Sequence, residues 1–283
     1  MIRTRFAPSP TGPLHLGHAY SAIIAHDFAH AQGGQFLLRI EDIDQSRARA
    51  VWVAQILDDL DWLGLTWHGP VLRQSERLAS YSEAVQSLNT AGLLYCCNCT
   101  RQDIKQAMSA PQEGILTHSG LDGAVYPGTC RPYGKTMNQV EGALRLNMAA
   151  ALNGKSSVRF MELISLQSLP KFNISNTKYI IDKIGDIVIL RKNLEAAYHL
   201  AVVLDDAAQG ITHVVRGADL KSATPIHAVL QQLLGLATPT YMHHRLIRDE
   251  NGKRLAKRDD AKAISKFRSE GATPAGIRAM IGL

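Results

Sequence analysis

The sequence lacks the features of a membrane or secreted protein. No apolar run approaches the length that a helix needs to span a bilayer, and no charged N-terminal segment precedes a short apolar stretch. The chain also has no GxxxxGK[ST] loop and no GxGxxG turn, which removes the main support for a P-loop enzyme or a dinucleotide-binding protein. Repeats and low-complexity tails are absent too. We therefore expect a cytoplasmic protein whose nucleotide site, where it has one, is of another type.

Cysteine is scarce, and its four positions are crowded into one region: Cys96, Cys97, Cys99 and Cys130. In a cytoplasmic chain such crowding favours a metal site over disulfides. By spacing alone, either Cys96 or Cys97 can join Cys99 as a thiolate pair on one zinc ion, with His118 as a conventional fourth ligand. Incidental free cysteines are the alternative.

The overall charge is modestly basic. The chain has 283 residues, with 31 lysines and arginines against 25 acidic residues, for a net charge of +6. This length suffices for one large domain or two, with a real hydrophobic core. The basic excess suits a polyanionic partner such as an RNA, although many basic proteins bind no nucleic acid.

The N-terminal stretch RFAPSPTGPLHLGH sets two histidines, His15 and His18, at the start of a helical pattern. The preceding residues alternate as in a short strand, and prolines then end it. Apolar residues recur at helical spacing over residues 16–32, and Gly33 and Gly34 stop the pattern. We therefore predict that both histidines lie at a helix N-terminus.

A helix N-terminus favours an anion because its first backbone N–H groups are unpaired and the macrodipole is positive there. Two imidazoles three positions apart share a face and can donate hydrogen bonds to the same phosphate, while Gly17 between them lets a nucleotide approach the backbone. The alternatives are two surface histidines or a metal site, but no nearby cysteine or carboxylate completes a ligand set.

The rest of the chain predicts an α/β fold. A strand, a helix and a strand open it, and helices are expected over residues 46–63 and 75–90. The pattern then loosens into glycine, proline and serine clusters, which indicates an insertion. The segments GDIVIL, YHLAVVLDD and THVVRG are apolar and β-branched enough for buried strands. We expect a parallel sheet split by the insertion, with boundaries at 1–92, 93–176, 177–235 and 236–283.

HLGH preceded by RFAPSPTG resembles the HIGH signature of class I aminoacyl-tRNA synthetases in its glutamate-specific form. The similarity continues, in order, in RIEDIDQSR, RQSERLASY, HVVRGADL and NGKRLAKR, and it spans nearly the whole chain. Five separated motifs are far more specific than HLGH alone. The resemblance implies a Rossmann-like class I catalytic core, interrupted by a zinc-binding insertion and followed by a short helical C-terminal segment.

RLAKR, residues 254–258, resembles the KMSKS loop of these enzymes, with Arg254 in place of the first lysine and Ala256 in place of the usual serine. A solvated basic loop is the alternative. The resemblance implies these catalytic residues: His15, His18 and Lys257. It implies these ATP-binding residues, with Mg²⁺ accompanying the ATP: His15, Gly17, His18, Arg254 and Lys257.

A substrate with two carboxylates and an ammonium calls for fixed guanidinium groups and one fixed anion. The resemblance implies these glutamate-binding residues: Arg5, Phe6, Ala7, Pro8, Ser9, Glu41, Tyr198 and Arg216. Glu41 is the natural partner of the α-ammonium, and the two arginines are the natural partners of the carboxylates in an unspecified order. A salt bridge at the strand ends is the alternative for Glu41 and Arg216.

YCCNCT and YPGTCR are similar to the CxC and YxxxC pattern of the glutamyl-queuosine tRNA(Asp) synthetases. This resemblance implies one structural zinc ion with an unusual phenolate ligand and leaves Cys96 as a buried thiol. The implied ligands are Cys97, Cys99, Tyr126 and Cys130. Residues 259–283 suit one or two short helices, whereas an ordinary glutamyl-tRNA synthetase carries a large anticodon-binding portion there.

These resemblances imply a monomeric ligase that activates L-glutamate with ATP, without needing tRNA, and transfers it to the queuosine at the wobble position of tRNA(Asp). The runner-up is a shortened glutamyl-tRNA synthetase that charges the tRNA 3′ end. Two other classes remain: a nucleotidyltransferase that uses the HxxH motif on a small molecule, and a zinc-containing RNA-binding module without catalysis.

Overall fold

The computed structural model describes residues 1–109, 119–120, 123–133, 142–165, 167–193, 195–248 and 262–283. Its first part contains β1 (Arg3–Phe6), α1 (Leu16–Ala31), β2 (Gln35–Ile40), α2 (Ala50–Trp62), β3 (Leu72–Arg73) and α3 (Leu78–Thr90). The middle part contains β4 (Leu94–Cys97), α4 (Arg101–Ser109), β5 (Ser119–Gly120), β6 (Gly123–Ala124), β7 (Ala143–Leu146), α5 (Met148–Ala151), β8 (Ser157–Leu163) and β9 (Lys171–Asn176). The last part contains α6 (Thr177–Tyr179), β10 (Val188–Leu190), α7 (Tyr198–Ala208), β11 (His213–Gly217), α8 (Thr224–Leu233), β12 (Thr240–His244), α9 (Ile264–Ser269) and α10 (Pro274–Met280).

The chain opens with the predicted strand, helix and strand. β1 and β2 pair in parallel, with Arg3 opposite Gln35 and Phe6 opposite Leu38, and β3 continues the sheet beside β2. α1 connects the two strands and buries an apolar face against them. The helices predicted from residues 46 and 75 begin later, at Ala50 and Leu78, because an extended Arg49 and a short 3-10 turn precede them.

A second sheet has the strand order β11, β12, β8, β9, in which only β9 is antiparallel to its neighbour. It lies beside the first sheet, since the backbone N–H of Thr212 donates to the carbonyl of Arg3 at 3.0 Å. β8 therefore belongs to this sheet although it lies within the range 93–176. The division of the chain at 93 and 176 stays a prediction.

The segment GDIVIL forms a strand as expected, but not in the parallel sheet. Its strand β10 pairs antiparallel with β7, and β7 pairs antiparallel with β4. These three strands make a separate small sheet that carries the first cysteines. The prediction of a strand is confirmed here, and the expectation that it joins the parallel sheet is wrong.

The segment YHLAVVLDD forms the helix α7, so the prediction of a strand was wrong. Its buried residues are consecutive rather than periodic, running from His199 to Val203 and including Asp205 and Asp206. A helix that is buried on several sides reads as a continuous apolar run, and short runs of β-branched residues then suggest a strand. Helix α7 carries Tyr198, which is expected to bind glutamate, together with the buried acids Asp205 and Asp206.

The C-terminal region folds back onto the first sheet. α9 and α10 confirm the predicted short helices, and Ile264, Ile277 and Ile281 are buried in the same cluster as the apolar face of α1. Within the described ranges, no helix has both the length and the apolar character that crossing a membrane requires.

Candidate active site

One cavity of about 460 Å³ opens where β1, β11 and β12 end. Its walls include the residues expected to bind glutamate: Arg5, Phe6, Ala7, Pro8, Ser9, Glu41, Tyr198 and Arg216. They also include the residues expected to bind ATP at the start of α1: His15, Gly17 and His18. The structure thus brings together side chains that are up to about two hundred positions apart in the sequence.

The start of α1 is organised by its two histidines. His15 is the N-cap residue in extended backbone conformation, and its Nδ1 accepts a hydrogen bond from the Gly17 N–H at 3.1 Å. The His18 Nδ1 accepts from the His15 N–H at 3.2 Å, which completes a reciprocal capping box. With Nδ1 accepting, each neutral imidazole carries its hydrogen on Nε2. The prediction that both histidines lie at a helix N-terminus is confirmed.

Gly17 leaves room for this cap. A Cβ at residue 17 would lie 3.0 Å from the His15 Cε1 and 3.1 Å from its Nδ1, so the imidazole would have to shift. The glycine therefore permits His15 to fold over the first turn of α1, a role that sequence analysis did not foresee.

The first wall of the cavity is a charged network centred on Asp206 of α7. The Asp206 carboxylate accepts from the Arg5 Nε at 3.0 Å and from an Arg39 Nη at 2.7 Å. Arg39 is fully buried and also donates to Glu41 at 3.3 Å. The salt bridge proposed as the alternative for Glu41 therefore exists, although Glu41 also faces the cavity.

This network sets the protonation states of its members. Burial alone would raise the pKa of Asp206, but Arg5 and Arg39 outweigh it and lower that pKa below its ordinary value. Burial raises the pKa of Glu41, and the same two arginines only partly oppose the shift. The carboxylate of Asp206 is thus stabilised in its ionised form, while the charge of Glu41 is less fully compensated by the two arginines.

A second carboxylate on α7, Asp205, lies beside this network, with an oxygen 4.0 Å from the Arg39 Nε. It accepts hydrogen bonds from Gln74, Arg77 and Tyr81 at 2.7 to 3.0 Å, and all of its own surface is buried. Sequence analysis missed Asp205 and Asp206. Two adjacent acids at the end of an apolar run were the available signal, since buried acids need partners.

The opposite wall is built around Arg216, near the end of β11. Its guanidinium donates to His227 Nδ1 at 3.0 Å, to Thr224 Oγ1 at 2.8 Å, to His243 Nε2 at 3.4 Å and to the Leu220 carbonyl at 3.1 Å. All four of these acceptors, which belong to described residues, are neutral groups. Burial lowers the pKa of Arg216. This wall therefore differs sharply from the one around Arg5.

Several cavity residues were not predicted from the sequence, among them Ser21 and His244. Both line the cavity, and the Ser21 hydroxyl lies 2.6 Å from the His244 Nε2. Ser21 was detectable, since it lies three positions after His18 on the same helical face. His244 was not, because it comes from a distant strand.

The candidate phosphate residues Arg254 and Lys257 lie outside the described residues, as does Ala256. The described residues on either side are informative nevertheless. Ile247 lines the cavity, and Ala263 forms a β-bridge with His15. The N–H of Ile264 donates to the Leu14 carbonyl at 2.9 Å. Ile247 therefore lies at the cavity, and Ala263 and Ile264 lie beside the start of α1.

The cysteines form a candidate metal site at the end of β4. The sulfurs of Cys97, Cys99 and Cys130 lie within 4.8 Å of one another, and the Tyr126 hydroxyl lies 3.6 Å from the Cys99 sulfur. A tetrahedral zinc ion with Zn–S bonds of about 2.3 Å places its sulfurs roughly 3.8 Å apart. The donor set and its compactness thus fit zinc.

Cys96 takes no part in this cluster. Its sulfur lies 3.6 Å from the Asn98 Oδ1, and its side chain is buried in the larger hydrophobic core rather than beside Tyr126. Consecutive residues of a strand face opposite ways, so Cys96 and Cys97 cannot both reach one ion. The other candidate ligand, His118, lies outside the described residues.

An α/β core with a parallel sheet, a helix that starts at paired histidines and a cavity at the strand ends define a class I aminoacyl-tRNA synthetase catalytic domain. The family described as tRNA synthetases class I (E and Q), catalytic domain, matches residues 1–283, and this chain belongs to it.

Two curated relatives carry the same name. The Glutamyl-Q tRNA(Asp) synthetase of Rhodobacter capsulatus is 55% identical over 285 residues, covering 99% of each chain. The Glutamyl-Q tRNA(Asp) synthetase of Nocardia farcinica is 40% identical over 279 residues, covering 98% of this chain and 82% of the relative.

Among solved structures, a glutamate tRNA ligase from Elizabethkingia meningosepticum in complex with its amino acid matches with a TM-score of 0.75 and 25% identity. The match covers 99% of this chain, which spans only 60% of the length of that ligase.

Proposed function

We propose that this protein activates L-glutamate with ATP and transfers it to the queuosine at the wobble position of tRNA(Asp). The observation that carries the first half is the single cavity that joins a buried, neutrally surrounded Arg216 to the paired histidines of a helix N-terminus. The similarity to the Glutamyl-Q tRNA(Asp) synthetases of Rhodobacter capsulatus and Nocardia farcinica supports the acceptor.

Each part of glutamate has a partner in this proposal. Glu41 binds the α-ammonium, while Arg5 and Arg216, from opposite walls, bind the carboxylates. Tyr198 and the backbone of residues 6–9 complete the pocket. Because Arg5 is already paired with Asp206, it supplies directed N–H donors with little excess charge, whereas Arg216 supplies both donors and charge.

Activation needs no nucleophile from the enzyme. An α-carboxylate oxygen of glutamate attacks the α-phosphorus of ATP, an acyl–phosphate bond forms, and the bond to the bridging oxygen of pyrophosphate breaks. The Nε2–H groups of His15 and His18, with Arg254 and Lys257, donate to the phosphates as charge shifts to the leaving pyrophosphate. Mg²⁺ bound with ATP would supply further charge neutralisation of the phosphates. This step proceeds without tRNA.

In the second step, a hydroxyl of the queuosine cyclopentenediol attacks the glutamyl carbonyl. An ester forms, AMP leaves, and the hydroxyl proton passes to AMP or to solvent. This reaction takes place in the cytoplasm, with a monomeric enzyme in our proposal.

Cys97, Cys99, Cys130 and Tyr126 would hold one structural zinc ion. The ion would tie the end of β4 to the segment after β6 and would not take part in the reaction. Asp186 already braces these segments, since Tyr95 and Arg131 both donate to its carboxylate.

The deciding experiment measures glutamate-dependent ATP–pyrophosphate exchange, followed by transfer of labelled glutamate to tRNA(Asp). Three tRNAs are compared: queuosine-containing tRNA(Asp), the same tRNA with guanosine at the wobble position, and queuosine-containing tRNA(Asp) that ends in 2′,3′-dideoxyadenosine. We expect labelling of the first and third only. Periodate is avoided because it also cleaves the cyclopentenediol.

The remaining outcomes separate the alternatives. Labelling that is lost with the dideoxy end but indifferent to queuosine would identify a shortened glutamyl-tRNA synthetase. Exchange without glutamate would identify another nucleotidyltransferase, and RNA binding without any exchange would leave a zinc-containing RNA-binding module.

For the metal, we expect the Cys97→Ser protein to lose bound zinc, measured by elemental analysis, while the Cys96→Ser protein keeps one ion per chain. The two positions are adjacent and both buried, so the second variant controls for general disturbance of β4. Full zinc occupancy in the Cys97→Ser protein would exclude the assigned ligand set.

A further inference from the structure

The charge of Arg216 is unusually placed. Arg216 is only 5% exposed, yet the groups of described residues that accept hydrogen bonds from its guanidinium are two imidazoles, a hydroxyl and a carbonyl. A buried cation normally has an anionic partner, because removing a charge from water is costly. Here the carboxylates of Asp206 and Glu162 are engaged elsewhere: Asp206 with Arg5 and Arg39, and Glu162 with Lys221.

The protonation of His227 follows from its hydrogen bonds. A guanidinium can only donate, so the His227 Nδ1 that faces Arg216 at 3.0 Å carries no hydrogen. The hydrogen is on Nε2, which lies 3.1 Å from the His199 Nδ1 and donates to it. His227 is therefore neutral and fixed in one tautomer. Burial, with Arg216 nearby, lowers its pKa well below the ordinary value.

The hydrogen bonds of His243 fix its tautomer in the same way. Its Nε2 accepts from the Arg216 Nε at 3.4 Å and from the Thr224 hydroxyl at 3.1 Å, so its hydrogen is on Nδ1. That hydrogen is donated to the Glu162 carboxylate at 2.8 Å. Burial lowers the pKa of His243 to about 4, although Glu162 opposes the shift.

We infer that His227 and His243 are positioning residues that hold Arg216 with neutral acceptors and so keep its charge available for the side-chain carboxylate of the amino-acid substrate. An aspartate or glutamate at either position would hold the guanidinium equally well but would neutralise it. The imidazoles fix the orientation of the guanidinium without neutralising its charge. The cavity consequently demands an anion at this wall, and an acid is selected over the corresponding amide.

This inference rests on the proposed function, since it assigns the acid-versus-amide selectivity of the same cavity. It is tested with a pair of variants that differ only in charge. The side chains in His227→Asn and His227→Asp have nearly the same shape, and each can place an oxygen close to the position of Nδ1. His213→Asn is the matched control, because His213 lies on the same strand as Arg216 and does not line the cavity.

The measurements are glutamate binding by calorimetry, the KM values for glutamate and ATP in pyrophosphate exchange, and the ratio of exchange with glutamate to exchange with glutamine. We expect His227→Asn to stay within about threefold of the wild type. We expect His227→Asp to weaken glutamate binding about tenfold or more, with a similar fall in the glutamate-to-glutamine ratio and no change in the KM for ATP. The control should match the wild type.

Equal losses in the Asn and Asp variants would show that His227 acts through packing and would overturn the inference, as would an unchanged Asp variant. The pair His243→Gln and His243→Glu repeats the contrast at Nε2 if the first pair does not fold. Failure of the proposed function can be distinguished from failure of this inference. A wild-type protein that binds glutamate but catalyses no exchange refutes the activity, while glutamate binding by the variants still tests the inference. A wild-type protein that does not bind glutamate refutes both.

Discussion

The two walls of the cavity hold their arginines in opposite ways. Arg5 and Arg39 meet the carboxylates of Asp206 and Glu41, whereas Arg216 meets only neutral acceptors among the described residues. The pKa shifts follow the same division, since the acids raise the pKa of Arg39 despite its burial, and burial lowers that of Arg216. The charges of the wall around Arg5 are balanced before substrate arrives, whereas the charge of Arg216 is balanced only when an anionic substrate binds.

This difference predicts that substitutions in the two walls have different effects, one on stability and the other on substrate binding. Loss of a group from the Arg5 wall leaves a buried charge without a partner and costs stability in the free protein. Loss of Arg216 removes a charge that the free protein does not need, so it costs substrate binding instead.

We expect Arg216→Gln to lower kcat/KM for glutamate in pyrophosphate exchange by about 100-fold or more, because a buried charge–carboxylate interaction is worth about 2 to 5 kcal/mol. The KM for ATP and the midpoint of urea unfolding should change little. Arg5→Gln serves as the comparison. If it lost as much glutamate-over-glutamine selectivity as Arg216→Gln, the contrast between the walls would be wrong.

Asp206→Asn tests the complete wall. Arg5 and Arg39 share this carboxylate, so its removal leaves two buried guanidinium groups with one anion fewer, at a cost of about 3 kcal/mol in the free energy of unfolding. Urea denaturation with and without the substitution measures it. Asp58→Asn is the control, since Asp58 is an exposed acid paired with Arg268. A loss in Asp206→Asn no larger than in that control would contradict the prediction.

The wild-type protein should show the pH signature of the Asp206 pair. Because the folded-state pKa of Asp206 lies below its ordinary value, its contribution to stability is present above the ordinary pKa of 3.8 and is lost as the pH falls below it. Asp206→Asn should reduce this acid dependence.

The sequence predicted the parts of this site that depend on local pattern. The strand, helix and strand at the N-terminus and the capping position of the histidines follow from apolar spacing and from the prolines around Thr11. The walls do not follow from such patterns. Arg5 and Asp206 are 201 positions apart, and no local periodicity records that pairing.

The error at α7 had the same origin. Burial on several sides removed the helical periodicity, and the strand prediction hid the fact that Asp205 and Asp206 lie one turn or more beyond Tyr198 on a single helix. The neutral support of Arg216 was equally hidden. Nothing about His227 or His243 as isolated histidines shows which of their nitrogens carries the hydrogen.

Asp59 on α2 contrasts with Asp206, because it is a buried carboxylate without the cations that surround Asp206. Neither oxygen has a hydrogen-bond partner among the described residues, and burial raises the pKa of Asp59 to about 6. The folded state therefore binds more protons than the unfolded state between about pH 4 and 6, and stability falls as the pH rises through that window. A shift from 3.8 to about 6 corresponds to a loss of at most about 3 kcal/mol.

Asp59→Asn should remove this dependence and make the protein more stable at pH 7 than the wild type. Urea unfolding at pH 4.5 and 7 for both proteins measures the difference. Asp59 thus gives the opposite sign to Asp206, which loses its contribution on acidification. An identical pH dependence in the wild type and in Asp59→Asn would show that Asp59 finds a partner in solution.

The smallest effect is expected from Thr224→Val, which deletes the hydroxyl that accepts from Arg216 at 2.8 Å and donates to His243 at 3.1 Å. Valine keeps the shape, so the fold should remain intact, and Arg216 retains His227 and the Leu220 carbonyl. The lost hydrogen bond is worth about 1 kcal/mol, or roughly a fivefold rise in the KM for glutamate. Since the hydroxyl is neutral, selectivity for glutamate over glutamine should not change. A fall in that selectivity would mean that orientation of the guanidinium, rather than its uncompensated charge, sets the preference for an acid.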